Sequence, residues 1–206
     1  MKSIIDQNKS TYNALANEYD MKVSVRKSYN SGLVDRFIEF ITTGKEVLDI
    51  GCAVGLDLEN FREKGFLPTG IELSEEMAKL ARLRNPGTNI IEGNFMELDI
   101  NKKFDAVWAL SFIHLFPEKE VPLVLEKIKD YLKPGGVMYI TTTKSQESKE
   151  GWVEKTDYQG GYKRFRKDWT YPEIVKSLEK AKFSIVDYRD IEDPYHKLHM
   201  VFIVRK

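Results

Sequence analysis

Asp49 stands two residues ahead of the first glycine in the run Asp49-Ile50-Gly51-Cys52-Ala53-Val54-Gly55. Val47, Leu48 and Ile50 read as a buried strand, and a helix-type period begins at about Leu56. A strand that turns through glycines into a helix is where α/β sheets hold nucleotide-like ligands, because glycine tolerates positive φ and lets the backbone approach a ligand. The acid narrows the choice of ligand. A carboxylate at Asp49 repels a pyrophosphate and attracts an ammonium or sulfonium group. The spacing also departs from the dinucleotide fingerprint G-x-G-x-x-G, which needs glycine where Ala53 and Leu56 stand.

Other residues carry chemistry in the same half of the chain. Glu72 closes a second apolar run, Thr69-Gly70-Ile71, where a carboxylate can take both hydroxyls of a ribose. Leu73 and Met77 are spaced to sandwich an adenine, with core packing as the alternative for Met77. His114, in Ser111-Phe112-Ile113-His114-Leu115, has a reference pKa near neutrality and is a candidate general base; a structural imidazole is the competing reading. Tyr12 and Tyr19 offer aromatic faces to a cation, or anchor an amphipathic helix. Cys52 reads as a small residue packed behind the loop. His196 and His199 have no further His, Cys or paired acids near them in sequence, so no metal is expected.

These residues need a sheet to bring them together. After a helical N-terminal region (about Asn8 to Tyr19, then Ser31 to Thr42), β-type runs alternate with helix-type periods, which predicts an α/β fold with a mainly parallel sheet. Strands are expected at Val47–Ile50, Thr69–Glu72, Asn89–Glu92, Phe104–Ala109 and Val137–Thr141. Ser74, followed by Glu75 and Glu76, reads as a helix N-cap, and Thr170-Tyr171-Pro172-Glu173 as a capping box. The last two runs, Phe183–Val186 and Met200–Val204, are too close for a crossover helix and should pair antiparallel. Between them and the fifth strand, Thr143 to about Gly161 is polar and without a clear period.

Composition excludes several classes. With 32 basic and 32 acidic residues, nothing favours DNA or an anionic membrane surface. The basic run Lys163-Arg164-Phe165-Arg166-Lys167 reads as a solvated hairpin face before it reads as an RNA contact. One cysteine rules out an internal disulfide framework. No segment approaches the ~20 apolar residues of a membrane span, so the expectation is a soluble cytoplasmic protein, monomeric or homodimeric.

The motif order resembles the class I S-adenosylmethionine-dependent methyltransferases over nearly the whole chain. The matching pieces are Asp49 to Gly55, Gly70-Ile71-Glu72-Leu73-Ser74, Glu92-Gly93-Asn94-Phe95, Phe104-Asp105-Ala106-Val107 and Leu132-Lys133-Pro134-Gly135-Gly136. The start, Tyr12 to Asp20, is similar to the N-terminal lid of small-molecule enzymes of that group. The resemblance implies a Rossmann-like, doubly wound, seven-stranded sheet, mostly parallel with the last strands antiparallel and helices on both faces. It implies one domain, with an N-terminal helical lid over 1–43 and a catalytic core over 44–206. It implies S-adenosyl-L-methionine as cofactor, held by Asp49, Gly51, Cys52, Ala53, Gly55, Glu72, Leu73, Met77, Asn94, Phe95, Ala109 and Tyr19. Asn94 stands where the family usually has an aspartate facing the adenine amino group; its side-chain oxygen can still accept that bond. The expected reaction is methyl transfer to a nucleophile of a small-molecule acceptor, with His114 as the candidate base. Action on protein or RNA, or cofactor binding without catalysis, are the alternatives. Lys2 to Lys27 and Thr143 to Lys167 are expected to close over the acceptor as lids.

Overall fold

The computed structural model describes residues 3–156, 158 and 160–206. Two helices open the chain, α1 (Ile4–Met21) and α2 (Val23–Ile38). The α/β region runs β1 (Glu46–Ile50), α3 (Leu56–Glu63), β2 (Leu67–Glu72), α4 (Glu75–Arg84), β3 (Asn89–Glu92), β4 (Phe104–Ala109), α5 (Val121–Tyr131) and β5 (Leu132–Thr143). A hairpin of β6 (Lys149–Glu154) and β7 (Lys163–Asp168) follows, then α6 (Tyr171–Lys180), β8 (Ser184–Glu192) and β9 (Leu198–Arg205).

Seven strands form one sheet in the order β3-β2-β1-β4-β5-β9-β8. Its first five strands are parallel, β9 runs antiparallel to β5, and β8 antiparallel to β9. The strand order reverses beside β1 and β4, and ligands of open α/β sheets bind outside the carboxyl ends of the strands at such a reversal. Core clusters lie on both faces. Leu48, Ile50, Val107 and Met138 pack with α5 and α6 on one face. Val47, Ala106, Trp108 and Tyr139 pack with α2 and Phe61 on the other. That burial on both faces explains why β1, β4 and β5 read as continuous apolar runs.

The helix starts follow local chemistry. Ser74 Oγ accepts from Met77 N at 3.2 Å. The Glu173 carboxylate accepts from Thr170 N at 2.9 Å, as the capping box predicts, and also from the Thr170 hydroxyl at 2.8 Å.

Two expectations need correction. α2 begins at Val23, ahead of the expected Ser31, and ends at Ile38. Part of the stretch expected without a period is the β6–β7 hairpin, paired in register from Lys149 with Asp168 to Glu154 with Lys163. Its alternation is real but masked by charge: Phe165 and Lys167 are buried on one side of β7, and Arg164 and Arg166 are half-buried on the other. Apolar periodicity is blind to a strand that carries cations on both faces.

Candidate active site

A cavity of about 700 Å³ opens at the carboxyl ends of β1, β2 and β4, under α1, α2 and the hairpin. That volume is within the usual range for small-molecule sites. One end is acidic. Asp49 ends 3% exposed at the floor, and its Oδ2 has no hydrogen-bond partner among the described residues. Asp57, from the first turn of α3, is fixed by Asn30 Nδ2 at 2.9 Å and by Trp108 Nε1 at 3.0 Å. Glu72 accepts from Ala53 N and Ser74 N, both at 2.8 Å. All three carboxyls are held above their ordinary pKa by burial, and Asp49 is pushed further by the neighbouring Asp57 and Glu72.

The amides of the glycine loop are spent within the protein. Gly51 N and Cys52 N both donate to Ile71 O, at 2.8 and 3.0 Å, and Gly55 N donates to Cys52 O at 2.8 Å. With Ala53 N on Glu72, four loop amides are already bonded inside the protein. The loop therefore lacks the row of inward donors that cradles a pyrophosphate. Ala53 holds φ of 47° and Ser111, beyond β4, φ of 55°. Non-glycine residues in that region store about 1–2 kcal/mol each and gather at functional sites.

The sequence-predicted residues are placed as follows. Asp49, Gly51, Cys52, Ala53, Glu72 and Leu73 all line the cavity. So do Met77, Asn94, Phe95, Tyr19 and His114. Asn94 Oδ1 accepts from Met96 N at 3.1 Å, and Nδ2 donates to Glu97 at 2.9 Å, so one oxygen lone pair is spent locally. Two residues are not on the wall. Gly55 faces α4 instead: its carbonyl accepts from Asn85 Nδ2 at 2.8 Å, and a Cβ there would sit 2.5 Å from that nitrogen. Its glycine is needed for loop-to-helix packing. Ala109 is buried in the core, and the next two residues, Leu110 and Ser111, form the wall in its place. Cys52 points its sulfur beneath β2, where a Cβ on Gly70 would meet it at 2.7 Å.

The other end is basic. His114 is 6% exposed, its Nδ1 has no partner among the described residues, and its Nε2 lies 3.4 Å from Arg164 Nη1. An arginine only donates, so Nε2 accepts and the ring is neutral with its proton on Nδ1. Burial, then Arg164, Arg166, His199 and Lys155, hold the imidazole pKa well below its ordinary value. Arg164 Nη1 also donates to Tyr12 Oη at 2.8 Å, tying β7 to α1. A further tie joins the same elements, Phe165 N donating to Asn8 Oδ1 at 3.0 Å, and Asn13 Oδ1 accepts from Ser74 Oγ at 2.6 Å, which holds α1 to the start of α4. Tyr19 stacks on Tyr158 with ring centroids 4.8 Å apart, and burial with the nearby phenols keeps its hydroxyl un-ionised.

Asp57 escapes the sequence reading, and the run Lys163 to Lys167, expected as a solvated hairpin face, instead buries Phe165 and Lys167 and sets Arg164 and Arg166 on the cavity wall. An acid in a first helical turn looks like a surface group facing the helix dipole; the long-range bonds from Asn30 and Trp108 show otherwise. The clue to the arginines is the Arg-Phe-Arg alternation, which has strand period two.

This arrangement defines a class: a doubly wound α/β protein with a small-molecule-sized cavity at the switch point of its sheet, floored by buried acids. The family model described as methyltransferase domain matches residues 23–188, and the chain belongs to that family. It is 31% identical over 110 residues to the dTDP-3-amino-3,4,6-trideoxy-alpha-D-glucopyranose N,N-dimethyltransferase of Streptomyces venezuelae, covering 52% of this chain and 46% of that one. It is 27% identical over 198 residues to an uncharacterized protein of Methanocaldococcus jannaschii, covering 92% and 74%. The chain thus spans about half the length of that sugar N,N-dimethyltransferase. Among solved structures, the Burkholderia thailandensis 1,6-didemethyltoxoflavin-N1-methyltransferase, with S-adenosylhomocysteine bound, superposes with a TM-score of 0.70 at 21% identity, covering 93% of this chain and 87% of that one. The fold is therefore the S-adenosylmethionine-dependent methyltransferase fold. The residues present fit that cofactor, because Asp49 presents an orphaned buried carboxylate where a positive group is needed.

Proposed function

We propose that the protein transfers the methyl group of S-adenosylmethionine to a nucleophile of a small-molecule acceptor. The observation that carries this is the acidic end of the cavity, where Asp49, Asp57 and Glu72 converge beside a loop with its amides already spent. When bound, the cofactor supplies a sulfonium methyl that is already a strong electrophile.

The chain supplies binding, orientation and exclusion of water. Asp49 takes the positive charge. Glu72 keeps lone pairs beyond its two backbone bonds for the ribose hydroxyls. Leu73 and Met77 flank the base, and Asn94 and Phe95 close its edge. Tyr19 and Tyr12, on α1, cover the cavity as a lid together with the hairpin. Alignment of acceptor and methyl is the main contribution, and such orientation effects supply up to about 7–11 kcal/mol. Where the acceptor must lose a proton, His114 can take it only once Arg164 leaves its Nε2, and its lowered pKa makes it a weak base. A cytoplasmic location and a monomeric or homodimeric state belong to the same proposal; among the described residues no helix is long and apolar enough to cross a membrane.

Turnover tests the reading. Purified protein, labelled methyl donor and a panel of hydroxy, amino and carbon-acid small molecules should give a methylated small product and S-adenosylhomocysteine. Label recovered only in added protein or RNA, or cofactor binding with no turnover on any acceptor, would contradict it.

A further inference from the structure

The cavity wall beside His114 carries several cations. Arg164 and Arg166 leave β7 two residues apart and project from the same side of the strand into the cavity. Arg164 Nη1 is 3.4 Å from His114 Nε2 and 2.8 Å from Tyr12 Oη. Arg166 Nε is held by Asp168 at 2.6 Å, which orients the rest of its guanidinium. Lys155, 4% exposed, lies over the rings of Tyr158 and Tyr19, 4.0 and 5.2 Å from their centroids. His199 joins them from β9, paired with Asp193 at 3.1 Å. Among the described residues, Asp168 holds Arg166 and also lies 3.6 Å from Lys149, and Asp193 holds His199. Two guanidiniums on one strand face form a fork that matches the planar oxygens of a carboxylate or the oxygens of a phosphate.

Resting on the methyl-transfer reading, we infer that the acceptor is an anionic small molecule whose carboxylate or phosphate is taken by Arg164 and Arg166, with its nucleophilic atom beside His114. The polarity of the cavity then sorts its two occupants. The cationic end of the cofactor is drawn to Asp49 and repelled by β7, and an anionic acceptor is drawn the other way. A cationic acceptor meets like charge at the arginines and is rejected.

The test uses probes that need no knowledge of the acceptor. Inorganic phosphate, benzoate and the neutral benzamide are titrated at constant ionic strength into free protein and into protein saturated with S-adenosylhomocysteine. The His114 ring resonances, assigned with His114→Asn, are followed by NMR. At least one anion should give a saturable shift and benzamide none, and the phosphate and benzoate arms separate the two anion classes. In Arg164→Gln/Arg166→Gln that anion should bind about tenfold or more weakly (about 1.4 kcal/mol), while S-adenosylhomocysteine binding, whatever the lid's loss costs it, remains measurable. Arg164→Lys/Arg166→Lys, which keeps both charges, should retain part of the anion binding and guards against a folding defect. Absence of any anion-dependent shift, an equal response to benzamide, or anion binding that survives the double glutamine variant overturns the inference. Loss of S-adenosylhomocysteine binding in the unaltered protein would instead overturn the methyl-transfer reading, and the anion response of the free protein would still decide this one.

Discussion

Asp49 is the residue in which stability and function pull apart. In the free protein its carboxylate is buried without a partner for Oδ2 and next to two other acids, so the charged form is costly. Its folded pKa is raised, so the folded state keeps a proton that the unfolded chain has already released. Stability contributed at low pH is therefore lost as pH rises from the ordinary value of 3.8 through the raised folded pKa. Asp49→Asn should remove that slope and stabilise the free protein at neutral pH by about 1–3 kcal/mol. The same change should weaken cofactor binding. Denaturant melts across pH, paired with calorimetry, check both; a variant that is less stable and binds normally contradicts the role. Gly51 is constrained twice over. Its φ is 78°, and a Cβ there would stand 3.1 Å from Phe112. Gly51→Val should therefore abolish cofactor binding and also lower the melting temperature, where the loop motif alone predicts loss of binding only. Normal binding by that variant would show the loop assignment to be wrong.

At the scale of elements, the sequence is most legible where one period dominates. β1, β4 and β5 declare themselves as apolar runs, and α4 and α6 through their capping residues. The β6–β7 hairpin does not, because its strands carry charge on both faces, and two of those charges, Arg164 and Arg166, line the cavity. Ala109 and Gly55 show the other limit. Both belong to motifs, yet which motif residue reaches a ligand depends on how the strand end is buried and which helix crosses it, and neither is local information. The bonds from Thr11, Asn8 and Tyr12 to β7 make α1 and the hairpin one cover. Lys2, in the first lid segment, lies outside the described residues, as do positions 157 and 159 in the second. Hydrogen exchange should show α1 and β6–β7 less protected than the seven-stranded sheet in the free protein, and newly protected with S-adenosylhomocysteine. Protection confined to the loops after β1, β2, β3 and β4 would remove the lid role in the cofactor complex.

The whole molecule is a sheet whose strand order places an acidic floor beneath a cover that carries cations. The floor follows from β1 and β2 lying side by side, with Asp49 paired to Gly70 and Ile50 to Ile71 in register, and Glu72 the next residue of β2. The absence of a side chain at Gly70 leaves room for the sulfur of Cys52, which keeps the glycine loop seated against β2. Cofactor choice is thus a property of the fold as much as of any residue, and it is where the account is most exposed. Calorimetry of the unaltered protein against S-adenosylhomocysteine and against NAD tests it most directly. The account predicts saturable binding of S-adenosylhomocysteine, weakened by about 1.5–3 kcal/mol in Glu72→Ala, and no measurable binding of NAD. Binding of NAD at comparable or greater strength, or S-adenosylhomocysteine affinity indifferent to Glu72, would contradict it.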